Sequence, residues 1–167
     1  MNTVSRSIHF IDIENLCESA IITEIQVEDA LTDYRRVVGI GDSDLVVIAA
    51  NSTNAPTAYL TANGLLGARF LPPTRGKDAA DLALIDAITD TPDITSFDTV
   101  VIASGDHIFA PALAHVAARG VNTVAVSRTS SLSPHVRMAA HSVIKLPHLT
   151  HTHRASIIDI TTGKEIA

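Results

Sequence analysis

The chain has 167 residues, 46% of them hydrophobic and 18% charged, which suits one globular domain with its own core and excludes a disordered polymer. Its formal charge of −6 argues against long non-specific wrapping of nucleic acid, and no apolar run approaches the ~20 residues that span a bilayer. Cys17 is the sole cysteine, so no intrachain disulfide forms; with no signal-peptide core near Met1, a cytoplasmic location is expected.

The run 8–13 is apolar and β-branched, the pattern of a buried first strand that ends in acids. Segment 27–38 has helical spacing through Val27, Leu31, Tyr34 and Val38, with Gly39 as its stop. The continuous apolar run 45–50 predicts a second strand covered on both faces. A helix over 54–63 follows, with Pro56 in its first turn and Gly64 beyond it. A short strand at 68–71 is halted by Pro72 and Pro73. Then come a helix at 79–88, a strand at 99–103, a helix at 109–118 closed by Gly120 and a strand at 121–126. A short helix at 133–140 and a strand at 143–146 complete the series. Strands alternating with helices at this spacing predict an α/β protein, a three-layer α/β/α sandwich around a mostly parallel sheet. The domain is read as 1–147. The tail 148–167 departs from this rhythm and is expected to form a small hairpin around Thr161, Thr162, Gly163 and Lys164, or an extended arm.

In such a sheet the strand carboxyl ends share one edge, where remote segments converge. Asp12 ends the first strand, Asp106 follows the fourth, and Asp81 lies early in the helix after the third. Each alone has a plain explanation: Asp78 as an N-cap, Asp81 beside the positive end of a helix, Asp106 as the cap of a helix starting near Ile108. Together they are harder to dismiss, because two carboxylates ~4 Å apart repel by ~4 kcal/mol at an effective dielectric of 20. Such a cluster needs a cation or bound protons, and the simplest cation for an all-oxygen site is Mg²⁺ or Mn²⁺. Asp86, five residues past Asp81, is rotated ~140° away and expected outside the site. Cys17 reads as a small core residue.

Three segments carry a resemblance: Phe10-Ile11-Asp12-Ile13-Glu14-Asn15, then Lys77 through Asp86, then Ser104-Gly105-Asp106. In this order, and with Arg119-Gly120-Val121 following, they resemble the signature segments of the NYN domain, a branch of the PIN-like ribonucleases. The resemblance covers most of 7–146. It implies a metal-dependent ribonuclease in which Asp12, Asp81 and Asp106 hold Mg²⁺ or Mn²⁺, and Asn15 supports the site or contacts substrate. The ion would activate water for attack on an RNA phosphodiester. Ser104, Lys77 and Arg128 are expected to contact substrate, with Arg75 and Arg137 on the same basic rim and the first N–H groups after Asp106 cradling a phosphate. Two positions depart from the family pattern. Ile108 stands where a further acid often follows Asp106, and His141 stands where Ala-Ala-Asp is common.

His107 reads as a proton donor or an exposed helix-start histidine. His151 and His153 alternate as strand neighbours able to pinch a metal, with a solvated tail as the plain reading. Ser127 through Ser131 either holds a phosphate or simply caps the next helix. Aromatics are only 4%, so recognition by base stacking is disfavoured and the RNA backbone is the expected target. The alternative function is a catalytically weak or inactive NYN-like module that binds RNA or a protein partner, favoured by Ile108 and the negative charge. Self-association is left open. A receiver-like domain would want an acceptor Asp where Phe70-Leu71-Pro72-Pro73 stands, and a dinucleotide-binding turn would want glycines that Asp12-Ile13-Glu14-Asn15 lacks.

Overall fold

Six strands with little charge and many β-branched residues build the centre of the molecule: β1 (Ser7–Asp12), β2 (Leu45–Ala49), β3 (Arg69–Phe70), β4 (Thr99–Ala103), β5 (Asn122–Arg128) and β6 (Ser142–Leu146). A computed structural model describes residues 5–149 and the backbone of 157–158 and 165–166. The strands form one all-parallel sheet in the order β3-β2-β1-β4-β5-β6, which confirms the expected α/β architecture.

Side-chain alternation along each strand divides the core in two. On one face Ile11, Val46 and Ile48 pack with Val27, Leu31 and Tyr34 of α2 (Glu24–Val37) and with Ala58 and Ala62 of α3 (Ala55–Leu66), α1 being the single turn Ile13–Leu16. On the other, Ile8, Phe10 and Val47 pack with Leu84 and Ile88 of α4 (Ala79–Thr89), Leu113 and Val116 of α5 (Ala110–Ala118) and Val136 of α6 (Pro134–Ala139). Each fully buried Leu, Ile or Phe contributes about 1.5–3 kcal/mol. The buried His9 is satisfied by Tyr34 Oη at 2.7 Å and Asp44 at 3.4 Å, so it belongs to the scaffold. Cys17 is buried too, and burial pushes its thiol up to about 12, as a core residue requires.

Several boundaries differ from the sequence expectations. α3 runs through Gly64 and stops at Gly67, whose φ of 59° is left-handed. β5 continues two residues past Val126, so Ser127 and Arg128 lie in the ladder opposite Lys145 and Leu146. Asp78 occupies the N-cap position of α4 but makes no capping bond, its own backbone being left-handed at φ 56°. α1 was not anticipated, because one turn is too short to show a period. In the tail, Ile157–Ile158 (β7) pairs antiparallel with Glu165–Ile166 (β8). The expected turn at 161–164 and the pair His151 and His153 fall outside the described residues.

Candidate functional site

The strand order reverses between β1 and β4, and a crevice opens there at the carboxyl edge of the sheet. Asp12 is the last residue of β1 and the cap of α1, its Oδ1 accepting from Asn15 N–H at 3.1 Å. Its other oxygen accepts from Ser104 Oγ at 3.0 Å, just past the end of β4. Asn15 Oδ1 in turn accepts from Gly105 N–H at 3.0 Å. Two strand ends and one turn of helix are thereby tied around a single carboxylate.

Gly105 is required for its lack of a side chain: a Cβ there would lie 2.1 Å from the carbonyl oxygen of Ser131. Its φ is not left-handed, so backbone freedom is not what the position requires. What it requires is the close approach of the loops that follow β4 and β5.

A cavity of about 480 Å³ opens beside Asp12 and is lined also by Glu14, Asn15, Asp78, Asp81 and Ser131. Asp12 is only 5% exposed, and its pKa rises to about 8, first through burial and then through the neighbouring Asp81 carboxylate. The N–H of Asn15 and the hydroxyl of Ser104 offset part of that rise. Asp81 rises to about 6, first through burial and then through Asp106, while its contact with Asp12 works the other way. Asp12 and Asp81 line the same cavity, and Asp106 is close enough to Asp81 to raise its proton affinity.

Asp106 does cap the segment after it, accepting from Ile108 N–H at 3.1 Å, and the same oxygen meets His107 Nδ1 at 2.9 Å. The N–H groups expected to hold a phosphate there are therefore partly taken by Asp106 itself. His107 is exposed.

Two residues assigned to substrate do other work. Ser104 is wholly buried, and its Oγ also accepts from Asp106 N–H at 3.2 Å, so it orients carboxylates and has no face for RNA. Arg128 is also wholly buried, with Nε donating to Leu16 C=O at 3.0 Å and Nη1 to Asp33 and to Pro147 C=O at 2.9 and 2.6 Å. It points into the scaffold because β5 extends further than expected. Lys77 and Arg75 are exposed in the loop that leads into α4. His141 pairs with Thr123 through Nδ1, a structural role that ties the start of β6 to β5. Ser127 bonds the Ser131 hydroxyl and the Arg128 carbonyl, holding the loop together.

Glu14 was not picked out as a site residue, although it stands two places after Asp12. Its Oε1 accepts from Asn51 N–H and Asn54 Nδ2, both at 2.9 Å, which anchors the site to the end of β2 and the start of α3. Glu18 also lines the cavity, in a left-handed backbone, accepting from Leu149 N–H and pairing with His148.

The donor set can be tested against a divalent ion. Mg²⁺ is commonly held by one or two carboxylates, with water and phosphate oxygens filling the other positions. Two neighbouring carboxylates whose proton affinity is raised by burial and by nearby acids fit that chemistry, since a cation removes the repulsion that protons otherwise relieve. Among the described residues no three His, Cys, Asp or Glu side chains make a ready-made metal cage.

Residues 8–147 match the sequence description of the NYN domain. A solved structure, that of a protein of unknown function from Vibrio parahaemolyticus, is similar to this chain with a TM-score of 0.59 and 16% identity. The match covers 87% of this chain and 94% of that one, and at such identity it speaks for the fold. No curated protein matches the chain.

Proposed function

Because the chain belongs to the NYN domain family, whose members are generally nucleases, we propose that it is a divalent-metal-dependent ribonuclease. The observation that carries this reading is the cluster of carboxylates at the switch point of the sheet, with Asp12 buried, Asp81 half-buried, and the proton affinity of both raised by burial and a neighbouring acid. These two, with Asp106 beside them, are the residues to hold Mg²⁺ or Mn²⁺. When bound, such an ion lowers the pKa of a coordinated water and polarises a phosphoryl oxygen.

The chain's own contribution is preorganisation. Ser104 and the Asn15 N–H fix both oxygens of Asp12, so little reorganisation accompanies charge development. Asn15 supports the site by holding the β4 loop through Gly105 N–H. Lys77 and Arg75, exposed next to the cavity, supply the local positive charge that an acidic protein needs to attract a phosphate backbone. The described cavity lining contains no aromatic side chain, so bases are not stacked and sequence selectivity is low.

The test is cleavage of a mixed RNA pool with Mn²⁺, wild type beside Asp12→Asn and Asp81→Asn. The expected result is metal-dependent cutting by the wild type and a loss of about 100-fold or more in either variant, with unchanged circular dichroism. Binding of RNA without cutting in either metal would instead favour a non-catalytic RNA- or partner-binding module. The specific observation behind that second reading is Ile108, an apolar side chain where the family pattern often supplies an acid. No helix among the described residues is long and apolar enough to cross a membrane.

A further inference from the structure

We propose that the outer face of α3 is an interface with a second copy of this chain, which makes the protein a two-fold dimer. The acidic cavity and its chemistry play no part in this contact.

α3 turns Ala55, Ala58 and Ala62 inward against the sheet. The opposite side is uncharged as well: Pro56, Tyr59, Leu60, Asn63 and Gly64 face outward, with Tyr59 51% and Leu60 71% exposed. None of the helix's 12 residues is acidic, basic or a histidine. Its neighbour α2 carries Glu24, Glu28, Asp29, Asp33, Arg35 and Arg36. A helix with no charge on any side is the kind found within a core rather than against water. Tyr59 meets Phe70 of the edge strand β3 edge-on, ring centroids 5.2 Å apart. The face therefore continues to the rim of the sheet around a fixed aromatic ring, the type of residue that anchors interfaces.

Gly64 gives an independent indication. It lies within α3, where glycine is among the poorest helix formers. A Cβ there would meet nothing within 4 Å, and its φ is not left-handed, so a single chain gives no reason for the missing side chain. Close approach of another backbone does.

The chemistry of the face selects its occupant. Nucleic acid or an anionic membrane would call for Lys or Arg, and α3 has neither. Each copy carries a formal charge of −6, so two copies meet with least repulsion where charge is absent. The Tyr59 hydroxyl and the Asn63 amide each donate and accept. Each is matched by its own duplicate across a two-fold axis, as an isologous interface requires.

The experiment is sedimentation equilibrium of the full chain without metal or RNA, beside Leu60→Glu, Asn63→Lys and Met138→Glu. All three positions are exposed, and Met138 lies on α6, which packs on the other face of the sheet. Circular dichroism and a thermal melt verify that each variant is folded. The expected result at about 100 µM protein is twice the chain mass for wild type and Met138→Glu. Leu60→Glu and Asn63→Lys force like charges together and are expected to raise the dissociation constant by about 100-fold or more. A wild type that stays monomeric at that concentration overturns the proposal, as does a monomer whose α3 face binds a different protein. So does a dimer that both α3 variants leave within about 10-fold of wild type, or one that Met138→Glu breaks equally.

Discussion

Two charged side chains are buried at the carboxyl edge of the sheet, and the protein treats them in opposite ways. Arg128, the last residue of β5, is wholly enclosed but meets Asp33 and the carbonyls of Leu16 and Pro147. Asp12, the last residue of β1, is nearly as enclosed but meets Asp81, a group of the same sign. A paired buried charge joins parts of the scaffold: here β5, α1, α2 and the segment after β6. Like charges forced together raise each other's proton affinity, and their repulsion is relieved only by something from outside the chain. The contrast shows why burial alone does not identify a functional residue. The sign of the nearest partner does.

Breaking the paired side has the largest expected effect. Arg128→Ala leaves Asp33 Oδ2 and two carbonyls without their donor, although Arg36 still holds Asp33 Oδ1, and is expected to destabilise the protein by about 3 kcal/mol. Urea denaturation measures it. A loss below about 1 kcal/mol means that water already does the guanidinium's work.

The like-charge side is sharpened by pH. The folded-state pKa values of Asp12 and Asp81, about 8 and about 6, lie above the usual carboxylate value, so the folded chain keeps protons that the unfolded chain releases. Their contribution to metal-free stability is therefore complete below about pH 4 and is lost as pH rises through about 6 and about 8. His9, whose pKa burial lowers against the opposing pull of Asp44, acts in the opposite direction over part of this range. Comparison with Asp12→Asn cancels that term. Without metal at pH 8.5, the variant is expected to be more stable than wild type by roughly 2 kcal/mol, and Mn²⁺ is expected to reverse the order. Thermal melts at pH 5, 7 and 8.5 decide it, and equal slopes for the two proteins would show that Asp12 titrates normally.

A smaller effect tests the joint between the two regions. Gly105→Ala must move either the Ser131 carbonyl or the Asn15 bond, with a destabilisation of about 1–3 kcal/mol. If Mn²⁺ affinity falls with stability, the joint positions the site. Unchanged stability in urea would instead mean that the Ser131 loop yields freely.

Local pattern and strand order made much of this legible from the chain alone. The apolar run after Arg6, the stretch from Leu45 and the run from Thr99 each state a parallel strand through composition. Once strands alternate with helices, handedness places Asp12, Asp81 and Asp106 at one edge. The helix preceding β3 was misjudged at its end because Gly64 and Gly67 look equivalent in sequence. Only the chain path shows which of them turns left-handed.

The sequence by itself determined the architecture and which acids share an edge, since these follow from periodicities a few residues long, and it carried the family in the likeness of three ordered segments. Tertiary structure alone decided the roles of Arg128, Ser104, Glu14 and Gly105. Each depends on a partner 26 to 112 residues away, and two further residues of strand were enough to turn an expected substrate contact into a buried clamp. Charge, hydroxyl and carboxylate are written in the chain, but what each one meets is set by packing.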